Sequence, residues 1–532
     1  METIFTGGPI LTMEGPENRP QAVLVRDEHI AAVGSLAELR ALAPEATLRD
    51  LQGRCLMPAF VDPHSHIVMT GQMRQFADLT GCGSFGDIVE AMQAHMTRRH
   101  IGPDSVVVGF GYDHNFLAEQ AHPTAQVLDA VSREIPVLIM HISGHMGCAN
   151  SAMLALAGVT ADSPDPYGGR FGRDAEGRPD GYLEENAFMA VQAVMKQTVK
   201  TDRRELLAGM QAAYLEQGIT TCQDGATTEE NMELLLEADR AGLLDVDVVV
   251  YPMASADPER FLEKYADYVQ KYEGHVKIGG LKMILDGSPQ GKTAWMSRPY
   301  EGMGDYCGYS FLPEDQAQAC ARFAVDHGLQ LLCHCNGDAA SQLLLDCYER
   351  ALHDSDNAEK YALRPMMVHC QTVRNDQLDR MAQLHMLASI FVGHVYYWGD
   401  VHWQNFGPER ASRISPAADA LKRGLSVNFH QDTPITPPNM LHSIWCAVNR
   451  QTRNGRTLGE NQKIGVYEAL EACTIAAAYV YSEEDRKGSI RPGKLADLVI
   501  LDRSPLETAP MALRDIRVLE TICKGRTLYT CE

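Results

Sequence analysis

Apolar and polar positions along this chain change period between its ends and its middle. Residues 1–57 carry short apolar runs, Ile4-Phe5, Ala22-Val-Leu-Val25 and Ile30-Ala-Ala-Val33, with a turn at Gly53. They predict strands with too little apolar surface for a core of their own. Residues 481–532 have the same texture. The Pro492-Gly493 turn leads into a run apolar on both faces (Leu495, Leu498-Val-Ile-Leu501), and Val518-Leu-Glu-Thr-Ile-Cys523 follows. Two β-rich ends around a long middle predict one small β-sandwich built from both termini, 1–57 and 481–532.

The middle, 58–480, alternates short apolar runs with amphipathic helical stretches, as a parallel β/α fold does. Eight strands are predicted, over 58–63, 218–224, 246–252, 279–285, 329–334, 365–369, 387–392 and 425–430. Helical patterns between them include 203–216, 228–241, 314–327, 339–353 and 375–384. Eight such units predict an α/β fold, a distorted (β/α)8 barrel of TIM type, whose chemistry sits at the C-terminal strand ends. The count requires 70–215 to be a large insertion after the first strand. That stretch has its own strand-like runs, Val106-Val-Val-Gly-Phe-Gly-Tyr-Asp113 and Pro136-Val-Leu-Ile-Met-His141, and a Gly/Asp/Pro-rich segment from Asp162 to Gly181. A loop of that size over a barrel face reads as a lid or substrate-binding subdomain.

Composition narrows the partners. A chain of 532 residues, 45% hydrophobic and 22% charged, suits a large globular domain with a second one beside it. A net charge of −23 argues against nucleic acid and anionic membrane, leaving a small-molecule partner as the expectation. No apolar run is long enough for a membrane span, and the first residues lack the basic and apolar regions of a signal peptide. The 14 cysteines are scattered, with Cys222, Cys333 and Cys370 inside apolar runs. They read as reduced, buried thiols, so a cytoplasmic location is expected. Cys333-His-Cys335 invites a zinc reading, but alternation puts both thiols opposite His334 and favours plain burial. A homodimer is expected only as the commonest oligomer of soluble proteins.

Candidate chemistry collects at the predicted strand ends. The stretch Met57-Pro-Ala-Phe-Val-Asp-Pro-His-Ser-His66 ends in two histidines two residues apart, which a strand points to one face. His334 and His369 end the fifth and sixth strands, and Lys282 lies in an apolar setting on the fourth. The eighth runs into His430-Gln-Asp432. Singly, each reads equally as a hydrogen-bonded structural residue, a snorkelling lysine or a turn aspartate. Together, imidazoles and a carboxylate suit Zn²⁺ or a similar divalent ion. A lysine in a dry site is partly neutral and able to take up CO₂ as a carbamate. Asp432 is then placed to act as general base.

These residues resemble the amidohydrolase superfamily. Finer motifs resemble its YtcJ-like branch, the amidohydrolase 3 group with N-substituted formamide deformylases and AepA-type proteins. Those motifs are Gly144-His145 with Asn150-Ser151, Gly181-Tyr-Leu-Glu-Glu185-Asn-Ala187, Leu281-Lys-Met-Ile-Leu-Asp-Gly-Ser288, His334-Cys-Asn-Gly-Asp338-Ala and Gly493-Lys-Leu-Ala-Asp-Leu-Val. The resemblance implies a metal-dependent hydrolase. His64 and His66 would hold one metal with Asp432, Lys282 would be a bridging carboxylated residue, and His334 with His369 would hold a second metal. The branch varies in metal count, so one metal or two stays open.

Two departures stand out. His430-Gln431 precedes Asp432 where the branch often has Gly-Ser. Strand seven ends in Phe391-Val-Gly-His394-Val-Tyr-Tyr-Trp-Gly-Asp400. His430 reaches the metal, holds the aspartate, or supports and packs behind the site, and His394 either polarises a substrate carbonyl or does the same. His145 either meets substrate from the insertion or shapes a loop. Tyr112, Phe116, Tyr396, Tyr397, Trp398 and Trp403 either line an apolar substrate pocket or form core. The expected function is hydrolysis of an amide, N-acyl or N-formyl C–N bond in a small, partly apolar substrate. An ester, lactone or cyclic amide would use the same parts. A regulator that keeps the fold without turnover, or a module that captures a small molecule through the insertion, is the non-enzymatic alternative.

Overall fold

The computed structural model describes residues 2–199 and 203–531. At the start of the chain β1 (Glu2–Thr6), β2 (Ala22–Arg26), β3 (His29–Gly34) and β4 (Thr47–Asp50) form a sheet in the order β3-β2-β1-β4. β5 (Cys55–Pro58) leaves it for a second sheet, and β6 (Phe60–Val61) opens the central part of the chain.

Residues 69–210 form a compact unit of their own. Its strands are β7 (Ala77–Asp78), β8 (Val107–Tyr112), β9 (Val137–His141), β10 (Met146–Ala149), β11 (Gly169–Arg173) and β12 (Pro179–Glu185). They build one mixed sheet, ordered β11-β12-β10-β9-β8-β7. Strand alternation sorts the side chains into two cores. Val108, Leu138 and Met140 pack on one face, and Val107, Val137 and Ile139 on the other.

Residues 1–68 and 211–532 form the other unit. After β6 come β13 (Ile219–Thr227), β14 (Asp247–Pro252), β15 (Val276–Ile278), β16 (Gly280–Ile284), β17 (Gln330–Cys335), β18 (Met366–His369), β19 (Leu387–Ile390) and β20 (Val427–Phe429). All pair in parallel, in two arcs, β15-β14-β13-β6 and β16-β17-β18-β19-β20. A parallel bridge between Met253 and Lys282 links the arcs. Among the described residues no ladder closes β20 onto β6, so the circuit expected as one barrel is two open arcs of hydrogen bonds.

Each of the eight predicted strands contains or overlaps an observed one, and β15 is an addition. The break between β15 and β16 is at Gly279. A Cβ there would sit 2.5 Å from Tyr251 Oη and 2.6 Å from Val249 Cγ1. Glycine lets the chain pass, pairing β15 with β14 and β16 with β17. The intervening helices include Arg203–Leu215, Glu229–Arg240, Glu314–Asp326, Asp338–Asp354 and Asn375–Gln383, within two residues of their predicted bounds.

The chain ends in β21 (Leu498–Leu501), β22 (Val518–Cys523) and β23 (Arg526–Thr530), which add to β5 in the antiparallel order β23-β22-β21-β5. Phe5, Val23 and Val25 of the first sheet share a core with Leu56, Leu498, Ile500 and Ile522 of this one. No helix among the described residues is long and apolar enough to cross a membrane.

Candidate metal centre

The centre lies where β6, β13, β16, β17, β18 and β20 end. Beyond β6 the chain lies against the end of β13: His66 bridges to Asp224, and Gly225 N donates to Ser65 O at 2.9 Å. A Cβ on Gly225 would stand 3.1 Å from the Cε1 atoms of both His64 and His66, so glycine allows the two rings to sit there. His66 Nδ1 lies 2.7 Å from Gly225 O, and His64 Nδ1 lies 2.7 Å from Gln223 Oε1. Gln223 Nε2 donates to Pro63 O at 2.8 Å, which orients its amide and leaves Oε1 to accept.

Both Nδ1 atoms therefore donate, and both Nε2 atoms turn lone pairs inward. Each Nε2 lies 3.3 Å from Asp432 Oδ1. That oxygen is buried and receives no hydrogen bond among the described residues. Two ring nitrogens and a carboxylate oxygen this close need a positive charge between them, a shared proton in the ion-free chain or a metal ion in its place. His64, His66 and Asp432 form a group with ligand spacing for a metal ion. The donor set of two imidazoles and one carboxylate fits a divalent transition metal.

Electrostatics suit that fit. Burial, helped by the Lys282 charge, pushes His64 down to about 4, so the ring is neutral. Burial works against His66 too, but contact with Asp432 outweighs it and holds that ring above its ordinary value. Burial works to raise Asp432, yet contact with His64 and His66 keeps its carboxyl well below the usual range. Asp432 and His369 both adopt left-handed backbone, with φ of 53° and 70°. Such conformations cost about 1 kcal/mol or more and are concentrated at functional sites.

The remaining strand-end residues surround this group. Lys282 Nζ lies 3.2 Å from His64 Nε2, and burial pushes Lys282 down to about 8. His334 Nδ1 lies 3.2 Å from Asp286 Oδ1, which also accepts from Asn336 N at 3.0 Å. His369 and His334 have ring centroids 4.4 Å apart, and His369 and His64 5.7 Å. His430 Nε2 lies 3.1 Å from His369 Nδ1, and its own Nδ1 lies 2.9 Å from Ser389 Oγ. His430 thus holds His369 rather than the aspartate.

His394 is buried one layer further out. Its Nδ1 lies 3.0 Å from His402 Nε2, and its ring packs on Phe391 and Trp398 with centroids 4.7 and 4.6 Å away. Trp398 is itself buried. Tyr112 and His145 belong to the 69–210 unit. Tyr112 is fully buried in its core, with Oη 2.9 Å from His122 Nδ1 and 3.2 Å from Cys148 Sγ, so it packs rather than lines an open pocket. His145 Nδ1 pairs with Glu185 Oε2 at 3.0 Å. Sequence reasoning missed Gln223, Asp286, Ser389 and His402, each of which holds a ring of the cluster from behind.

The chain is similar to known proteins over nearly its whole length. N-substituted formamide deformylase of Arthrobacter pascens is 29% identical over 535 residues, 98% of this chain and 97% of that protein. YtcJ of Bacillus subtilis (strain 168) is 26% identical over 99% of each chain. A solved uncharacterized metal-dependent hydrolase from Pyrococcus furiosus superposes with a TM-score of 0.75 at 25% identity, covering 95% of this chain and 100% of that one. Residues 22–46 match an imidazolonepropionase-like composite domain of bacteria. The model of the amidohydrolase family matches residues 47–529, and the chain belongs to that family, in its YtcJ-like branch.

Proposed function

We propose that this chain is a metal-dependent hydrolase of a small amide, breaking an N-acyl or N-formyl C–N bond next to a partly apolar group. The observation that carries the reading is the convergence of His64 Nε2, His66 Nε2 and the unbonded Asp432 Oδ1, with Lys282 Nζ beside them. The bond type is supported by similarity, over nearly the whole chain, to a protein named N-substituted formamide deformylase.

A bound divalent ion, zinc by the preference of this donor set, would polarise the scissile carbonyl and acidify water. The chain's own groups do the rest. Asp432 takes the proton of the attacking water on its carboxylate and hands it to the leaving nitrogen as the C–N bond breaks, giving an acid and an amine. With His402 Nε2–H donating to His394 Nδ1, His394 carries its proton on Nε2 and donates it to the carbonyl oxygen, provided substrate reaches that ring. Lys282, dry and beside His64, is placed to be held as a carbamate. Its oxygens would give His334 and His369 the further ligand they need for a second ion. In this reading the eight strands act as the family's barrel, the two terminal sheets as its sandwich, and 70–215 as a lid or substrate-binding subdomain. A cytoplasmic homodimer acting on a small molecule belongs to the same reading.

The test is elemental analysis of protein purified without chelator, run beside hydrolysis of N-formyl and N-acyl amides and their matched esters. The expected result is bound zinc and amine release that stops on chelation. Asp432→Asn should lower kcat by about 10²–10⁴-fold. Bound metal falling from two ions to one in Lys282→Ala would support the carbamate. Ester cleavage without amine release would replace the amide reading, and a chain that takes up no metal even from added zinc would end the hydrolase reading.

A further inference from the structure

A second cluster of metal-type ligands lies wholly inside the 69–210 unit, at the end of its sheet. β8 and β9 are parallel neighbours, with Tyr112 in register with His141. The residues just past β8 therefore meet the last residue of β9. His114 Nδ1 lies 3.2 Å from His141 Nε2, and Asp113 Oδ1 lies 3.5 Å from His141 Nε2 and 3.9 Å from His114 Nδ1. Ligand atoms about 2.0–2.2 Å from a tetrahedral zinc ion are separated by about 3.3–3.6 Å. The three observed separations straddle that range.

The surroundings orient each donor. Asn115 presents its backbone N and its Nδ2 to Asp113 Oδ1 at 3.0 and 2.8 Å. Ser143 N donates to His141 Nδ1 at 3.1 Å and Ser143 Oγ lies 2.9 Å from the same nitrogen, which fixes the ring with Nε2 facing Asp113 and His114; an ion bound there takes the place of the Nε2 proton. Burial works to raise Asp113, but contact with His141 and Asn115 outweighs it and holds the carboxyl well below its usual range. Burial, with His141 adding to it, pushes His114 down to about 4, leaving that ring neutral. Asp113 and His141 are buried, while the His114 side chain is 25% exposed and gives an ion a way in. His122 stacks on His114 with ring centroids 4.0 Å apart, adding a third imidazole at the edge. The hydrolysis assigned to Asp432 uses none of these groups.

We propose that Asp113, His114 and His141 form a second site for a divalent transition-metal ion, separate from the one at His64, His66 and Asp432. Two imidazoles and one carboxylate leave a coordination position open to water or a ligand. The competing arrangement is an ion-free chain in which His141 Nε2–H donates to Asp113 and His114.

The experiment uses the full chain with His64→Ala and His66→Ala, stripped of metal and equilibrated with Zn²⁺ in a chelator buffer. About one zinc per chain should remain bound, as three protein ligands allow. Adding His114→Ala should remove it, and adding Asp113→Asn should weaken it at least about tenfold. Co²⁺ in place of Zn²⁺ should show visible ligand-field bands that disappear with His114→Ala. In the otherwise unaltered, fully loaded chain, His114→Ala should lower the zinc content by about one ion per chain, a readout that does not depend on the double-alanine background folding. Zinc content unchanged by His114→Ala in that chain, or no zinc held by a folded double-alanine background, would overturn the second site and leave the ion-free chain in its place.

Discussion

The ring nitrogens that face away from the centre decide what the inward ones can do. Gly225 O can only accept, so His66 Nδ1 must donate. Gln223 plays the same part for His64, and Tyr481, which lies 3.3 Å from Gln223 Nε2, donates its hydroxyl to Asp62 O at 2.7 Å. Gln223→Leu removes the acceptor and frees His64 to carry its proton on the wrong nitrogen. Metal affinity should fall about 10–100-fold, as it does when such partners are lost. Competition against a chromophoric chelator measures this, and an affinity within about twofold of the parent would remove Gln223 from the account. The two histidines were legible in the sequence because strand positions two apart share a face. Gln223 was not, since it lies 159 residues from His64 and a glutamine inside an apolar strand carries no spacing signal. Asp286 behind His334 and Ser389 behind His430 were hidden for the same reason. Tyr112 was left open between pocket and core, because an aromatic at a strand end looks alike in sequence in either place; the structure buries it.

Short apolar runs placed most of the parallel elements, because parallel strands buried on both faces read as unbroken apolar stretches. It missed β15, where Val276-Lys-Ile278 is short and has a charge at its centre. Lys277 is buried there and pairs with Glu483, a partner 206 residues away. The split at Gly279 also has no signature beyond the glycine pair itself. Yet it positions Lys282, three residues further on. Tyr251 cannot swing aside from a new methyl group at 279, since its hydroxyl donates to Gln330 Oε1 at 2.7 Å. Gly279→Ala should therefore destabilise the chain by about 1–3 kcal/mol, the range for overpacking. It should also lower metal affinity by shifting Lys282 away from His64. Thermal unfolding and metal titration check the two effects, and a variant with the parent's Tm would show that the strand has room to shift.

A buried charge network joins the C-terminal segment to the central strands. Lys487 Nζ pairs with Asp247 of β14 and with Glu483 Oε2 at 3.0 Å, and donates to Thr221 Oγ1 of β13 at 2.9 Å. Asp247 also meets Lys524 at 3.0 Å and His275 at 2.8 Å, and Asp497 adds its charge near Lys487. Burial works to raise Asp247, but Lys487 and the other partners hold it far below its usual value. Its contribution to stability is thus present above about pH 4, the unfolded value, and is lost as pH falls through the folded one. Burial works to lower Lys487, and Asp247 and Glu483 raise it instead. That contribution is present below about pH 10.4 and fades as pH rises through the folded value. Lys487→Met should cost about 3 kcal/mol at pH 7, the low end for breaking a buried pair, because Asp247 keeps Lys524 and His275 and Glu483 keeps Lys277. Without the lysine, Asp247 loses its strongest stabilising charge and its carboxyl titrates at higher pH. Protonation then relieves the penalty in the variant while the parent is still unaffected. The Tm deficit of Lys487→Met should therefore narrow between pH 7 and pH 4. An equal deficit at both values would mean that Lys487 holds the two parts of the chain together by packing and not by charge.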